Sequence, residues 1–149
     1  MIELSKTSGL ISAPVDIVFK YVTNMENYGF WFPGVQAIKS KNNFPHATIG
    51  KTYLETLLFP DGEHQLTITV AQCEVNQLFL TKGDLEGVLP QMTIKFHAPE
   101  KNQCRIDLHY HSRNSSLNEQ SEIIISLRED LSMRAMTGIT NLQKMLENK

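Results

Sequence analysis

Near its start the chain reads Ile11-Ser-Ala-Pro-Val-Asp-Ile-Val-Phe-Lys-Tyr-Val22, and an aromatic cluster follows at Phe30-Trp-Phe-Pro-Gly-Val35. Proline is preset for the first position of a helix, and Asp16 complements the positive end of the helix dipole. These features predict that a first strand ends just before a helix over Pro14–Thr23. A second short helix is expected over Met25–Trp31, closed by the Pro-Gly pair.

The rest of the chain divides into a strand-rich middle and a helical end. Alternating apolar and polar residues predict strands over Ile2–Ile11, Val35–Lys41, Gly50–Phe59, Glu63–Val75, Gln77–Thr81, Leu89–His97 and Gln103–Arg113. A tight turn is predicted over Phe59-Pro-Asp-Gly62. Apolar residues then recur every three or four positions, which predicts one long helix that starts near Ser116 or Ser121 and ends near Asn148. Its length would be roughly 45 Å.

The opening motif and the order of elements resemble the START-like (SRPBCC) superfamily, in particular its polyketide cyclase/dehydrase and lipid-transport branch. The resemblance covers nearly the whole chain and implies a single domain over residues 1–149. It implies an α+β helix-grip fold, in which a curved antiparallel sheet of about seven strands wraps around a long C-terminal helix. Two short helices follow the first strand in this fold, and an internal cavity lies between sheet and helix.

Composition narrows the choice of partners and of compartment. A net charge of −2 offers no field to attract nucleic acid, and no apolar run is long enough to span a membrane. The N-terminus lacks the features of a secretory signal, and the two cysteines lack metal-ligand or redox spacing. We therefore expect a cytoplasmic protein with no nucleic-acid partner and no stable membrane insertion. The oligomeric state stays open.

The last predicted hairpin can be assigned a register. Its polar face would pair His97 with Arg105, Lys95 with Asp107 and Thr93 with His109, and its apolar face would pair Phe96 with Ile106, Ile94 with Leu108 and Met92 with Tyr110. One register thus separates an apolar from a polar face, as a correct pairing should.

The apolar face supplies the candidate walls of a cavity. They are Trp31, Leu54, Ile68, Met92, Ile94, Leu108, Tyr110, Leu131 and Met136. The alternative is that these side chains pack a dry core. Tyr110 is the sharpest candidate to orient a ligand, because its hydroxyl needs a hydrogen-bond partner. Thr52 and Thr56 are further candidates for this orienting role.

A possible metal site is weighed on the last strand. His109 and His111 share a face, and Glu3 on the first strand would be a third ligand. Lys95 and Thr93 are predicted on the same polar face, where a cation opposes metal binding. We therefore assign these residues to a solvated outer face, with no metal. No cofactor is assigned either, because the chain lacks a phosphate-binding loop and a dinucleotide fingerprint.

Three functions remain in competition. The first is binding of a hydrophobic or amphipathic small molecule, such as a lipid, isoprenoid or polyketide-like compound, in the internal cavity. The second is a polyketide cyclase/dehydrase-type enzyme, which would need an ionisable side chain inside the cavity; the face assignment supplies Tyr110 alone. The third is an interaction module of the chaperone-activator type, weakly suggested by Leu57, Phe59 and Met133 on surfaces away from the cavity. The shortage of catalytic groups favours binding, and no catalytic residue is assigned.

Overall fold

The computed structural model describes residues 1–59 and 62–147. Its strands are β1 (Ile2–Ile11), β2 (Ala37–Ser40), β3 (Thr52–Phe59), β4 (Gly62–Glu74), β5 (Leu78–Gly83), β6 (Pro90–His97) and β7 (Cys104–Ser112). Its helices are α1 (Val15–Thr23), a 3-10 turn at Met25–Asn27, α2 (Tyr28–Trp31) and α3 (Glu122–Leu146). Residues 60 and 61, at the centre of the predicted turn, and the helix end predicted at Asn148 lie outside the described residues.

All seven strands form one antiparallel sheet in the order β1-β7-β6-β5-β4-β3-β2. The α+β helix-grip prediction is therefore confirmed, with a curved sheet, one long C-terminal helix and short helices after the first strand. The register predicted for the last hairpin is also confirmed, since Lys95 pairs with Asp107 and Met92 pairs with Tyr110. Hairpin registers are predictable when one face is buried, because a slip of one residue would turn every apolar side chain to solvent.

The aromatic cluster forms the end wall of the core. Trp31 is fully buried, and its ring meets those of Tyr28 and Phe32 edge-on, with centroids 5.3 and 5.9 Å away. The Tyr28 and Phe32 rings stack at 5.0 Å. Asn141 of α3 donates a hydrogen bond to the backbone oxygen of Trp31 at 3.0 Å, so the cluster is tied to the long helix.

Helix α3 begins at a capped residue and ends in tight packing. Ser121 is the N-cap, and its hydroxyl accepts a hydrogen bond from the backbone N–H of Ile124 at 3.3 Å. Near the C-terminal end, a Cβ on Gly138 would lie 3.2 Å from Cε3 of Trp31, and a Cβ on Gly9 would lie 2.3 Å from Cγ2 of Ile139. Gly9 therefore permits a close approach of α3 to the sheet, and Gly138 permits a close approach of α3 to Trp31.

Membrane crossing by a helix is not supported in the part of the chain that the structure describes. No helix there combines the length and the hydropathy that a transmembrane span requires. Both cysteines are free thiols, with Cys104 buried and Cys73 half-buried.

Candidate functional site

A cavity of about 1130 Å³ lies between the sheet and the N-terminal half of α3. Its walls come from β1, from β3 to β7, from the segment between β5 and β6, from the aromatic cluster, and from α3. Most of them are apolar. The apolar members with the largest side chains are Leu4, Met25, Phe32, Leu57, Leu66, Ile68, Leu85, Met92, Ile123, Leu127 and Leu131. Ile123 is also 78% exposed, so the cavity opens to solvent beside the first turn of α3.

Of the nine predicted wall residues, four line this cavity. Ile68, Met92, Tyr110 and Leu131 contribute to its surface. Trp31, Ile94 and Leu108 are completely buried but lie outside it, within the packed part of the core. Met136 is 63% exposed and also lies outside the cavity lining. Leu131 and Met136 belong to the same helix, but Met136 lies on the side of it that faces solvent.

Leu54 is the remaining wall residue, and its position corrects the face assignment of β3. The backbone pairs Leu54 with Thr67, whereas the inward-facing Ile68 pairs with Tyr53 and Leu66 pairs with Glu55. Residues directly opposite share a face of the sheet. Tyr53, Glu55 and Leu57 therefore face inward, and Leu54 faces the other side.

The same correction removes two other expectations. Thr52 and Thr56 alternate with the inward residues of β3, and neither lines the cavity, so neither can orient a ligand there. Leu57 lines the cavity rather than an outer surface, so it does not belong to the predicted interaction surface. The Phe59 side chain lies outside the described part of the chain. Met133 is 71% exposed, as expected for the back of the helix.

Glu55 is the ionisable group that the sequence reasoning missed. Its residue is only 7% exposed, it lines the cavity, and no described residue forms a hydrogen bond or ion pair with its carboxyl group. Burial raises the pKa of Glu55 from an ordinary 4.5 to about 7, and the charge of Arg134 opposes part of that rise. Near neutral pH this carboxyl group can therefore either donate or accept a proton.

Arg134 supplies positive charge to the same wall. It lines the cavity, and its Nη2 forms an ion pair with Oδ2 of Asp130, one helical turn earlier, at 3.1 Å. A Cβ on Gly34 would lie only 2.7 Å from Nη1 of Arg134, and Gly34 has a φ of +91°. The glycine that follows the aromatic cluster thus leaves the space that the guanidinium occupies. Arg134 can meet a negatively charged or carbonyl-bearing ligand group from this position.

Two tyrosine hydroxyls meet at the inner end of the site. The hydroxyls of Tyr28 and Tyr110 are within hydrogen-bond contact, and the Tyr110 hydroxyl also approaches Sδ of Met92 at 3.3 Å. Burial raises the pKa of both tyrosines, so both hydroxyls stay protonated at neutral pH. A pair of neutral hydroxyls can donate to and accept from a bound oxygen atom.

A signal for Glu55 was present in the sequence. Phe59 pairs with Gly62, and counting backwards from that pair sets Glu55 opposite Leu66. Because Leu66, Ile68 and Val70 form the apolar set of β4, their partners must face inward too. The error came from choosing the face of β3 by its leucines rather than by the turn. Arg134 had no comparable signal, since its position depends on Gly34 in a distant segment.

Comparison with known proteins supports the fold. No protein-family profile and no curated protein sequence matches the chain. Solved structures do match. The di-domain ARO/CYC StfQ from the steffimycin biosynthetic pathway superposes with a TM-score of 0.69 at 16% identity, over 98% of this chain and 51% of that one. The chain thus spans about half the length of that two-domain protein.

Two other solved structures match along nearly their whole length. A START superfamily protein from Mycobacterium smegmatis superposes with a TM-score of 0.70 at 9% identity, covering 97% of both chains. Ara h 8.0201 superposes with a TM-score of 0.68 at 9% identity, again covering 97% of both chains. Identities this low speak for the fold alone. The chain therefore has the START-like (SRPBCC) helix-grip fold, the same fold as the ARO/CYC and START superfamily structures.

Proposed function

We propose that the chain binds a hydrophobic or amphipathic small molecule in the cavity between the sheet and α3. The observation that carries the proposal is a largely apolar space of about 1130 Å³ with a few polar groups in its wall. Such sites bind by removing apolar surface from water, at about 25 cal/mol per Å². The volume suits a lipid, an isoprenoid or a polyketide-like molecule. The proposal includes a cytoplasmic protein whose ligand enters beside the first turn of α3.

The polar groups would hold the polar end of the ligand. Protonated Glu55 and the hydroxyls of Tyr28 and Tyr110 can bond to hydroxyl or carbonyl oxygens, while Arg134 can meet a negative charge. A ligand with one oxygen-rich end and one apolar end matches this distribution. Because apolar walls discriminate weakly between ligands that differ by a methylene, these polar groups would supply most of the specificity.

The test combines native mass spectrometry with a cavity-filling variant. Protein purified from cells is expected to carry a small molecule that is released on denaturation. Leu131→Trp should fill the cavity and abolish both this cargo and the uptake of the probe 8-anilinonaphthalene-1-sulfonate. The matched control is Met133→Trp, two residues away on the exposed side of the same helix. Equal uptake by wild type and Leu131→Trp would contradict the proposal.

A second candidate function is an enzyme of the cyclase/dehydrase type, and Glu55 is the observation that favours it. As a carboxylate, Glu55 could accept a proton from a carbon next to a carbonyl group. The resulting acid could then return that proton to a departing hydroxyl, which leaves as water and completes a dehydration. General acid–base catalysis of this kind contributes about 10²–10⁴-fold to a rate.

The two functions respond differently to Glu55→Gln. An enzyme should lose about 10²–10⁴-fold in the dehydration rate of a 3-hydroxyacyl thioester probe, while probe binding changes far less. A binding protein should show no dehydration before or after the substitution. Tyr110→Phe serves as the comparison, because it removes a hydrogen-bonding hydroxyl and leaves the proton-transfer group in place.

A further inference from the structure

The outer face of the sheet carries a second cluster of functional groups, separate from the cavity. It lies where β1 pairs with β7 and consists of Glu3, His109 and His111. One nitrogen or oxygen atom from each of the three lies within 4.8 Å of the corresponding atoms of the other two. Oε1 of Glu3 and Nε2 of His109 are 2.7 Å apart, and the two imidazole centroids are 4.0 Å apart.

A β-bulge in β1 shapes this cluster. Glu3 pairs with His111, but the next pair is Ser5 with Tyr110, so Leu4 is the extra residue in β1. Leu4 and Ser5 are both buried, which leaves Glu3 on the outer face. Glu3 is therefore directly opposite one histidine and diagonal to the other. The bulge also places Lys6 one residue farther from Glu3 than regular alternation would.

We propose that Glu3, His109 and His111 form a binding site for one Zn²⁺ ion, with solvent as the fourth ligand. Two imidazoles and a carboxylate are a donor set that zinc uses in open, four-coordinate sites. With metal–ligand bonds of about 2.0–2.2 Å, tetrahedral ligand atoms lie about 3.4 Å apart. Modest side-chain rotations reach that spacing from the observed one, and the ion replaces the proton shared by Glu3 and His109.

Glu3 and His109 bond to each other, and His111 adds a ring nitrogen without a partner in the described part of the chain. The Nδ1 atom of His111 is buried and has no hydrogen-bond partner among residues 1–59 and 62–147, so no such bond holds this ring away from the ion. Lys95, the cation that argued against a metal in the sequence, pairs with Asp107 as predicted, and Thr93 is the residue of β6 that pairs with His109. Asp107 in turn accepts hydrogen bonds from Ser8 at 2.7 Å and from His97 at 2.8 Å.

The N-terminal ammonium acts electrostatically on His111, and two further cations lie near the cluster. Lys6 is exposed and pairs with His109 on the neighbouring strand, where its flexible side chain can extend into solvent. The guanidinium of Arg128 donates to the backbone oxygen of Glu3 at 3.0 Å and forms an ion pair with Glu119 at 2.7 Å. The Arg128 contact fixes the backbone of the Glu3 ligand, and its charge is compensated by Glu119.

The site would join the outer face to the cavity wall through the backbone. Tyr110 lies between the two histidines and Leu4 follows Glu3, and both Tyr110 and Leu4 line the cavity. An ion that clamps the start of β1 to the end of β7 would therefore stiffen one wall of that cavity. The zinc proposal itself does not depend on what the cavity binds.

The test is calorimetric titration of tag-free, chelator-treated protein with ZnCl₂. We expect saturable binding of one ion per chain and a rise in the thermal midpoint, because the ion binds the folded state. His109→Ala, His111→Ala and Glu3→Gln should each weaken binding by about tenfold or more, equivalent to about 1.4 kcal/mol. Mg²⁺, which prefers oxygen ligands, should not compete.

The matched control is His97→Ala, which removes a histidine from the same face but not from the cluster. It should bind Zn²⁺ like wild type. The thermal midpoint of each variant in EDTA shows whether it is folded, and Glu3→Gln keeps the test valid if a histidine variant fails to fold. No saturable binding up to about 1 mM ZnCl₂, or unchanged binding in folded variants of the cluster, would overturn the proposal.

Discussion

The two halves of α3 pack against the same sheet with different closeness. The C-terminal half packs against it tightly, with Ala135 and Leu142 fully buried and Gly138 in contact with Trp31. The N-terminal half stands away and leaves the cavity, with Leu131 half-buried in its wall. One helix thus anchors the fold at one end and encloses a binding space at the other. Small residues explain the difference, because they allow close approach only where they occur.

We call the C-terminal half of α3 and its contacts the tight end, and the N-terminal half and the cavity beside it the open end. Removing an aromatic side chain from the tight end should have the largest effect on stability. Trp31→Ala is expected to lower the free energy of unfolding by about 3–5 kcal/mol, since it leaves a large hole in a packed region. Leu131→Ala at the open end should lower it by only about 1 kcal/mol, because that side chain already borders empty space. Urea unfolding of both variants measures the contrast. Equal losses would show that the two ends of the helix are packed alike.

The second prediction concerns the pH dependence of stability, which we attribute to Glu55 in the cavity wall. Because the pKa of Glu55 is about 7 when folded and near 4.5 when unfolded, the folded state binds more protons between these values. Stability should therefore fall as pH rises from 4.5 to 7, by about 3 kcal/mol at 1.36 kcal/mol per pKa unit. Glu55→Gln should remove this dependence and raise stability at pH 8.

Glu74→Gln is the control for that experiment, since Glu74 is an exposed carboxylate on the neighbouring strand. Unfolding by urea at several pH values should give the wild-type slope for Glu74→Gln and a flatter slope for Glu55→Gln. A Glu55→Gln variant that keeps the wild-type pH dependence would mean that another group titrates in this range.

The third prediction tests the boundary between the two ends, where Tyr28 stacks on Phe32 and bonds to Tyr110. Tyr28→Phe keeps the ring stacking but removes one hydroxyl. It should lower the free energy of unfolding by about 0.5–1.5 kcal/mol, because the Tyr110 hydroxyl retains only its contact with Met92. Thermal unfolding measures this change. A loss as large as that of Trp31→Ala would place the hydroxyl pair within the packed end.

The last prediction, similar in size to the third, concerns the N-cap of α3. Ser121→Ala removes the side chain that accepts a hydrogen bond from Ile124, which should cost about 1 kcal/mol. Thermal unfolding should detect it, and Ser121→Asn should restore most of the loss because asparagine also caps helices. An unchanged midpoint in Ser121→Ala would show that tertiary contacts hold this end without the cap.

Most of the architecture could be predicted because it depends on local patterns. The alternation in β6 and β7 supported a single register, and Ser121 was one of two proposed starts of the long helix. The cavity wall was harder to predict. Ile94 and Leu108 share a face with Met92 and Tyr110, yet they pack in the core while Met92 and Tyr110 line the cavity. Periodicity shows on which face of the sheet a side chain lies. It does not show whether that side chain meets packed residues or an open cavity.

By itself the sequence determined the order of strands and helices, the pairing of the last hairpin and the identity of the long helix, because turn residues and hydrophobic spacing act over a few neighbouring positions. Only the tertiary structure decided which ionisable groups are buried and which of them lie close together. It buried Glu55 and so raised the pKa of that carboxyl group, with the charge of Arg134 opposing part of the rise. It also used a bulge in β1 to bring Glu3 beside two histidines more than a hundred residues away. Burial and charge proximity depend on distant segments, which no local pattern records.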